Sequence, residues 1–537
     1  MTTKSVLFLF ISCIIAYSIM SCGGGNNSKR QKATIDTTIT QETSYNNMFL
    51  DSNAIEAFIN GDTSYKPFEK DFIDFYRRRN FEFTWFDTSG LIEQAVNFIN
   101  LLGNDGNGDT TTSEKKLLGL QDYFKKGIKN ESHATIVNGE LTLTGEFFKH
   151  AQEIFKGKKD INAEDLGWFI PRKKVNFSAL LDSTIGGKQI EESNVLNPEF
   201  KQLRDYLQKY INIKKNGEAW DSLALQRPKL KLNDSGQDVA DIQHRLYLLG
   251  DLQDDSHNGV FDNDTKDAVK SFQARYGLSS DGVAGPAFMG KINIPLDSLI
   301  KTLTVNLERA RWIPTQFPGD YVWVNIPDYK LTAYQNGDTA FTMRVIVGAA
   351  GHGTTIFSGN IKYIVFAPYW NIPESIVKNE IVPGMRNNPN YIKGHNMQIT
   401  GYSKGLPVVR QLPGPDNALG RVKFLFPNSF NIYLHDTPNH DLFNSGNRGL
   451  SHGCVRLSDP EEMANWLLRN EDTVKYNHQV VDSLMNNNPK EKWVTLEHTT
   501  PVYLVYFTAW VDDQGKLNIR KDIYGHDAKI AEKLFAD

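Results

Sequence analysis

Cysteine is nearly absent: three residues in 537, too few for a disulfide framework to hold a chain of this length. Positive charge is not in surplus either. A formal net charge of −4 gives no reason to expect a nucleic-acid partner, and the basic run Arg77-Arg78-Arg79 reads as a solvated helix face. No apolar run reaches the roughly 20 residues that span a bilayer as a helix. Hydrophobic residues at 40% and charged ones at 23% exclude both a membrane bundle and a disordered chain. What remains is a soluble globular protein too long for one core, with two or three domains.

The N-terminus carries an address. Lys4 precedes an apolar run from Val6 to Ile19, which ends in Ser21-Cys22 and three glycines. A positive start, a short apolar core and small residues at a cut site describe a signal peptide over 1–21. Ile19-Met20-Ser21-Cys22 resembles the lipobox of bacterial lipoproteins. That resemblance implies acylation of Cys22 as the mature N-terminus, and so a membrane partner. Gly23 after it, where some bacteria use Asp to retain lipoproteins in the inner membrane, favours the outer membrane facing the periplasm. Residues 22–45 are Gly, Asn, Ser, Thr, Lys and Gln with little apolar content, a flexible tether. Cys13 leaves with the signal, so Cys454 is the one free thiol of the mature chain.

Three textures follow. From 46 to 227 apolar residues recur at helical spacing, as in Phe68, Phe72, Phe75 and Tyr76; these stripes predict a helical scaffold core without chemistry. From 228 to 294 two helical patterns end at Gly250 and Gly277, among the turn signals Asn258-Gly259, Asp281-Gly282 and Gly285-Pro286. From 295 onward strand patterns dominate, with strands expected over 321–326, 331–334, 341–347, 361–366, 424–434 and 502–511. Residues 374–421, rich in Pro, Gly and Asn, interrupt these strands and read as a capping insertion. The fold class is multidomain α+β.

The chemistry is concentrated in Ser451-His452-Gly453-Cys454-Val455-Arg456, with His435-Asp436-Thr437-Pro438 nineteen residues before the cysteine. Acyl transfer through sulfur needs the thiolate, and a free thiol with a pKa of about 8.5 is barely ionised at neutral pH. An imidazole that takes the proton, and later gives it to the leaving amine, removes that obstacle. A strand ending at His435 and a second element starting at Cys454 can bring the two together. Gly453 leaves room for a substrate carbonyl, and the amides of Gly453 and Cys454 are candidate oxyanion donors. Plainer readings stand beside these. His435 fits a core histidine bonded to backbone; His452 fits a contact to substrate or loop; Arg456 fits either an internal ion pair or a seat for an anionic peptide. His435, His440, His452 and Cys454 follow no zinc-binding spacing.

Two resemblances give these residues a context. Gly236-x-x-Val239, Gln243-x-x-Leu246, Asn258-Gly259-Val260-Phe261, Phe272-Gln273 and Gly277-Leu278-x-x-Asp281-Gly282-x-x-Gly285 resemble the small three-helix peptidoglycan-binding module. The stretch 295–537 resembles the L,D-transpeptidase catalytic domain. It does so through Val305-Asn306-Leu307-Glu308-Arg309, Val324-Asn325-Ile326-Pro327, Pro368-Tyr369-Trp370-Asn371-Ile372-Pro373, Ile432-Tyr433-Leu434-His435-Asp436-Thr437-Pro438 and the cysteine motif. Tyr506-Phe507-Thr508-Ala509-Trp510 is similar to the large multidomain branch, with its scaffold and capping insertion. The resemblance implies a peptidoglycan stem peptide as partner and Cys454 as nucleophile. It implies His435 as base and Tyr433, Trp370, Arg456, His452 and Ser451 in contact with substrate. It also implies 3→3 cross-links as product, acylation by carbapenems, and no nucleotide, metal or redox cofactor. The alternatives are an L,D-carboxypeptidase with water as acceptor, and a non-catalytic wall anchor.

Overall fold

The computed structural model describes residues 48–103, 112–157, 161–171, 175–186, 196–218, 220–472, 474–487 and 490–535. The stretch expected to be a signal peptide, the candidate lipidation site Cys22 and the expected tether lie outside them. The chain divides into two compact units at Gly145/Glu146, inside the long helix His133–Lys156.

The first unit is helical, with a core of aromatic rings: Tyr65, Phe72, Phe75, Tyr76 and Trp85 are fully buried. Glu140 is buried among them. Its carboxylate accepts from the amides of Thr84 (2.6 Å) and Trp85 (2.9 Å) and from the Tyr76 hydroxyl (2.9 Å). Burial nevertheless lifts its pKa to about 7.

In the second unit, helices Gln237–Leu249, Asn263–Arg275 and Pro286–Ile292 form a small bundle. Two buried glutamines explain its repeated turn sequences. Gln243 donates to Asn258 Oδ1 and Val260 O and accepts the Gly259 amide. Gln273 repeats this with Asp281, Val283 and Gly282. Each side chain thus closes an Asn/Asp-Gly-Val turn whose glycine has positive φ, +64° and +73°.

The C-terminal part is a closed barrel. Its strands are β1 Tyr321–Asn325, β2 Lys330–Gln335, β3 Asp338–Gly348, β4 Ile356–Phe366, β5 Val422–Leu425, β6 Leu434–His435, β7 Val455–Leu457 and β8 Lys492–Val505. They pair in the order β5-β6-β7-β3-β2-β1-β8-β4, and β4 returns to β5. Alternation sorts the faces. Val322, Val324, Leu331, Ala333, Val345, Val347, Val422, Phe424, Leu434, Val455, Leu457, Val502 and Leu504 fill the interior, nearly all fully buried. The pairs β6–β7 and β1–β8 are parallel, and the other pairs among these eight strands are antiparallel.

The strand expected over 424–434 is broken into β5 and β6. Asn428 holds the intervening loop: its amide donates to Phe426 O (2.6 Å) and Ile432 O (2.8 Å), and its Oδ1 accepts from the Phe430 and Ile432 amides. Asn431 adopts φ +55°. This local network outcompetes strand pairing. Between β4 and β5 the insertion has its own core of Ile372, Ile376, Val377, Ile381 and Val409. It also has its own sheet, in which strand Leu406–Gln411 lies between Trp370–Asn371 and Met397–Ser403.

Candidate active site

β6 and β7 pair with Leu434 opposite Val455 and His435 opposite Arg456. Since Leu434 and Val455 point into the barrel, His435 and Arg456 point out of it. Tyr433 and Cys454, each two residues before one of them, continue the outward face. A nineteen-residue separation in sequence thus becomes adjacency across one strand pair.

His435 is 4% exposed. Its Nδ1 lies 2.5 Å from the Asp436 carbonyl. A carbonyl can only accept, so the proton resides on Nδ1 and Nε2 keeps its lone pair. No group among the described residues is hydrogen-bonded to Nε2. The backbone bond that marks a core histidine is therefore present, yet it orients the ring and leaves its other nitrogen free. Burial, with the Arg456 charge beside it, pulls the pKa down to about 3, so the ring is neutral at physiological pH.

Cys454 is half-buried and free. Its Sγ lies against the Asn431 carbonyl at 3.7 Å. Burial pushes the thiol pKa up, while Tyr433 and the charge of Arg456 pull it back. The Tyr433 hydroxyl interacts with both Cys454 and Trp370, and burial raises its own pKa. Tyr433 and His435 rings are 5.6 Å apart. Among the described residues, Arg456 Nε is buried without a hydrogen-bond partner, and Arg456 forms no ion pair.

Two expectations need correction. The Gly453 amide donates to Ser451 Oγ (3.1 Å) and is not a free oxyanion donor; the Cys454 amide, by contrast, is bonded to no acceptor among the described residues. Ser451 is buried, and its hydroxyl donates to the Cys454 carbonyl (2.6 Å). It shapes the nucleophile loop from within and is not a substrate contact. The loop needs this brace because Gly453 has φ +119°, a conformation suited to glycine alone. His452 is exposed, with Nε2 3.5 Å from Glu380 Oε1 of the insertion.

Two neighbours of the site, Thr354 and Tyr524, carried no signal in the sequence, whereas Asp436 belongs to the motif of His435. Thr354 Oγ1 donates to the Gly453 carbonyl (2.7 Å) and accepts the Gly348 amide (2.9 Å). Tyr524 donates to the Gly348 carbonyl (2.6 Å). Asp436, fully buried, accepts from Arg421 (2.8 Å to N) and lies 3.2 Å from His440 Nε2; it anchors the chain that follows His435. A cavity of about 600 Å³ opens elsewhere, on the outer face of β1–β3 beside Glu199, Trp323 and Tyr334. None of the residues expected at the site lines it.

Comparison with known proteins places these features. Residues 319–502 match the model of the L,D-transpeptidase catalytic domain, 70–207 that of a scaffold domain, and 235–292 that of the "Putative peptidoglycan binding domain". A Haemophilus influenzae protein named "Putative L,D-transpeptidase" is 36% identical over 250 residues, covering 43% of this chain and 49% of that protein. The chain thus spans about half the length of that curated relative. Solved L,D-transpeptidase structures from Xylanimonas cellulosilytica and Stackebrandtia nassauensis are 16% and 17% identical. Each covers 52% of this chain and, respectively, 100% and 97% of its own, with TM-scores of 0.16 and 0.22. The outward Cys454 site lies within the stretch that matches the L,D-transpeptidase catalytic domain, and the match to a peptidoglycan-binding domain precedes it. The chain is thus similar to L,D-transpeptidases over its catalytic stretch and to a peptidoglycan-binding domain ahead of it.

Proposed function

We propose that the chain forms 3→3 cross-links in peptidoglycan through a thioester on Cys454. Cys454 Sγ attacks the carbonyl of the third stem residue, and its proton passes to His435 Nε2. The carbonyl oxygen becomes an oxyanion facing the Cys454 amide. Collapse breaks the amide bond, His435 returns the proton to the departing D-Ala amine, and the acyl group remains on sulfur. The side-chain amine of a second stem then attacks the thioester, gives its proton to His435, and regenerates the thiol. Arg456, with its unpaired Nε, seats an anionic group of the stem, and Trp370 and Tyr433 line the approach. A mature N-terminus acylated at Cys22 holds the enzyme on the periplasmic side of the membrane, the outer one favoured.

The observation that carries this reading is the neutral imidazole with a free Nε2 on the same barrel face as a half-buried free thiol. The test is mass spectrometry of the purified protein with a carbapenem. One covalent adduct is expected, absent in Cys454→Ala and formed about 10²–10⁴-fold more slowly in His435→Ala. An adduct that persists in Cys454→Ala removes the cysteine from the mechanism. Muropeptide analysis then separates the acceptors, since 3→3 dimers report a second stem and trimmed tripeptides report water.

A further inference from the structure

A second cluster of reactive side chains lies in the helical module. His244 sits on helix Gln237–Leu249, and Asp255 and His257 lie in the loop that leads to helix Asn263–Arg275. His244 Nδ1 is 3.0 Å from Asp255 Oδ2, and His257 Nδ1 is 3.2 Å from Asp255 Oδ1. The two rings lie 4.4 Å apart. One ligand atom from each residue falls within 4.8 Å of both others.

Two further observations point the same way. His257 adopts φ +43°, the left-handed region that costs a residue with a side chain. Exposed ion pairs are too weak to hold such a conformation. On the far side of His244, Nε2 is 3.8 Å from Glu218 Oε2, so the ring is flanked by a carboxylate on each nitrogen. A carboxylate behind a histidine whose other nitrogen faces a ligand position is the arrangement that orients metal-binding imidazoles.

We propose that His244 Nδ1, Asp255 and His257 Nδ1 bind a divalent transition-metal ion of the zinc class, with Glu218 orienting His244. A tetrahedral ion with ligands at about 2.0–2.2 Å sets them roughly 3.3 Å apart. The two contacts to Asp255 are already within a few tenths of an ångström of that spacing. Two imidazoles and one carboxylate suit zinc, copper or nickel rather than calcium or magnesium. The ion staples the loop to the helix and keeps a fourth position open to solvent. The site uses none of the residues of the proposed reaction.

The test is isothermal titration of the full chain with ZnCl₂ in a Cys13→Ser, Cys22→Ser and Cys454→Ser background, which removes the competing thiols. One equivalent is expected to bind with micromolar or tighter affinity, while MgCl₂ and CaCl₂ give no heat. His257→Gly suits the positive φ while deleting a ligand; this variant and Asp255→Asn should each weaken binding by more than about 100-fold, and Glu218→Gln by about 10-fold or more. Absence of zinc binding overturns the proposal. So does binding that survives unchanged in His257→Gly and Asp255→Asn, since the ion then sits elsewhere.

Discussion

His435 and Arg456 face each other across the parallel pair β6–β7, so a guanidinium stands beside the imidazole that must stay neutral. The same charge lowers the thiol pKa of Cys454. One cation therefore favours both the unprotonated base and the ionised nucleophile.

This pairing sets the pH profile. With His435 held at about 3, carbapenem acylation should show no loss from histidine protonation between pH 7 and pH 5, and should rise toward alkaline pH as the thiol ionises. In Arg456→Met the histidine pKa rises, while burial, the larger cause, still holds it below its ordinary value of about 6.5, and the thiol pKa climbs as well. The whole profile moves to higher pH, whereas Arg456→Lys moves less. Second-order acylation rates measured across pH decide it; identical profiles in wild type and Arg456→Met would remove Arg456 from the electrostatics.

Thr354→Val should loosen the nucleophile loop. The substitution leaves the buried Gly453 carbonyl and Gly348 amide without their shared partner, a loss of about 1–3 kcal/mol. A lowered Tm with slower acylation is expected, although Thr354 touches no reacting atom.

Ser451→Ala removes a hydroxyl that accepts from Gly453 and donates to Cys454. Stability should fall by about 1–3 kcal/mol, and the adduct should form more slowly with little change in apparent affinity for the carbapenem. A variant with normal rate and reduced affinity would return Ser451 to the role of substrate contact.

Acid should destabilise the fold through its buried histidines. His435 and His526 are held at about 3 and about 4, in both cases chiefly by burial. Below their ordinary value of about 6.5 the unfolded chain binds protons that the folded chain refuses, so stability rises with pH from about 4 to 6.5. Urea midpoints taken across that window should climb more shallowly in His526→Gln.

The outward face of β6 and β7 was readable in the sequence because nucleophile and base each sit in a short motif at a strand end. The two Asn/Asp-Gly turns of the module were readable because their signal is local, but that a buried glutamine closes each was not. Thr354 and Tyr524 were not readable either, since each acts on the site through a buried bond to backbone far away in the chain, and nothing in a Gly-Thr or Tyr-Gly pair announces that bond. Ser451 was misread because a hydroxyl three residues from a nucleophile looks the same in sequence whether it turns outward or in. The strand expected across 424–434 failed at Asn428, whose side chain supplies the loop with four hydrogen bonds.

Closure of the barrel has a consequence for how a stem peptide can be held. With β4 returning to β5, the eight strands leave no unpaired edge strand among the described residues, so the barrel wall gives an incoming peptide no free sheet edge to extend. Grip must come from side chains and from the insertion, whose outer strand Met397–Ser403 pairs on one side only among the described residues. Recognition is thereby freed from backbone geometry, which suits the proposed stem-peptide substrate with its terminal D-Ala.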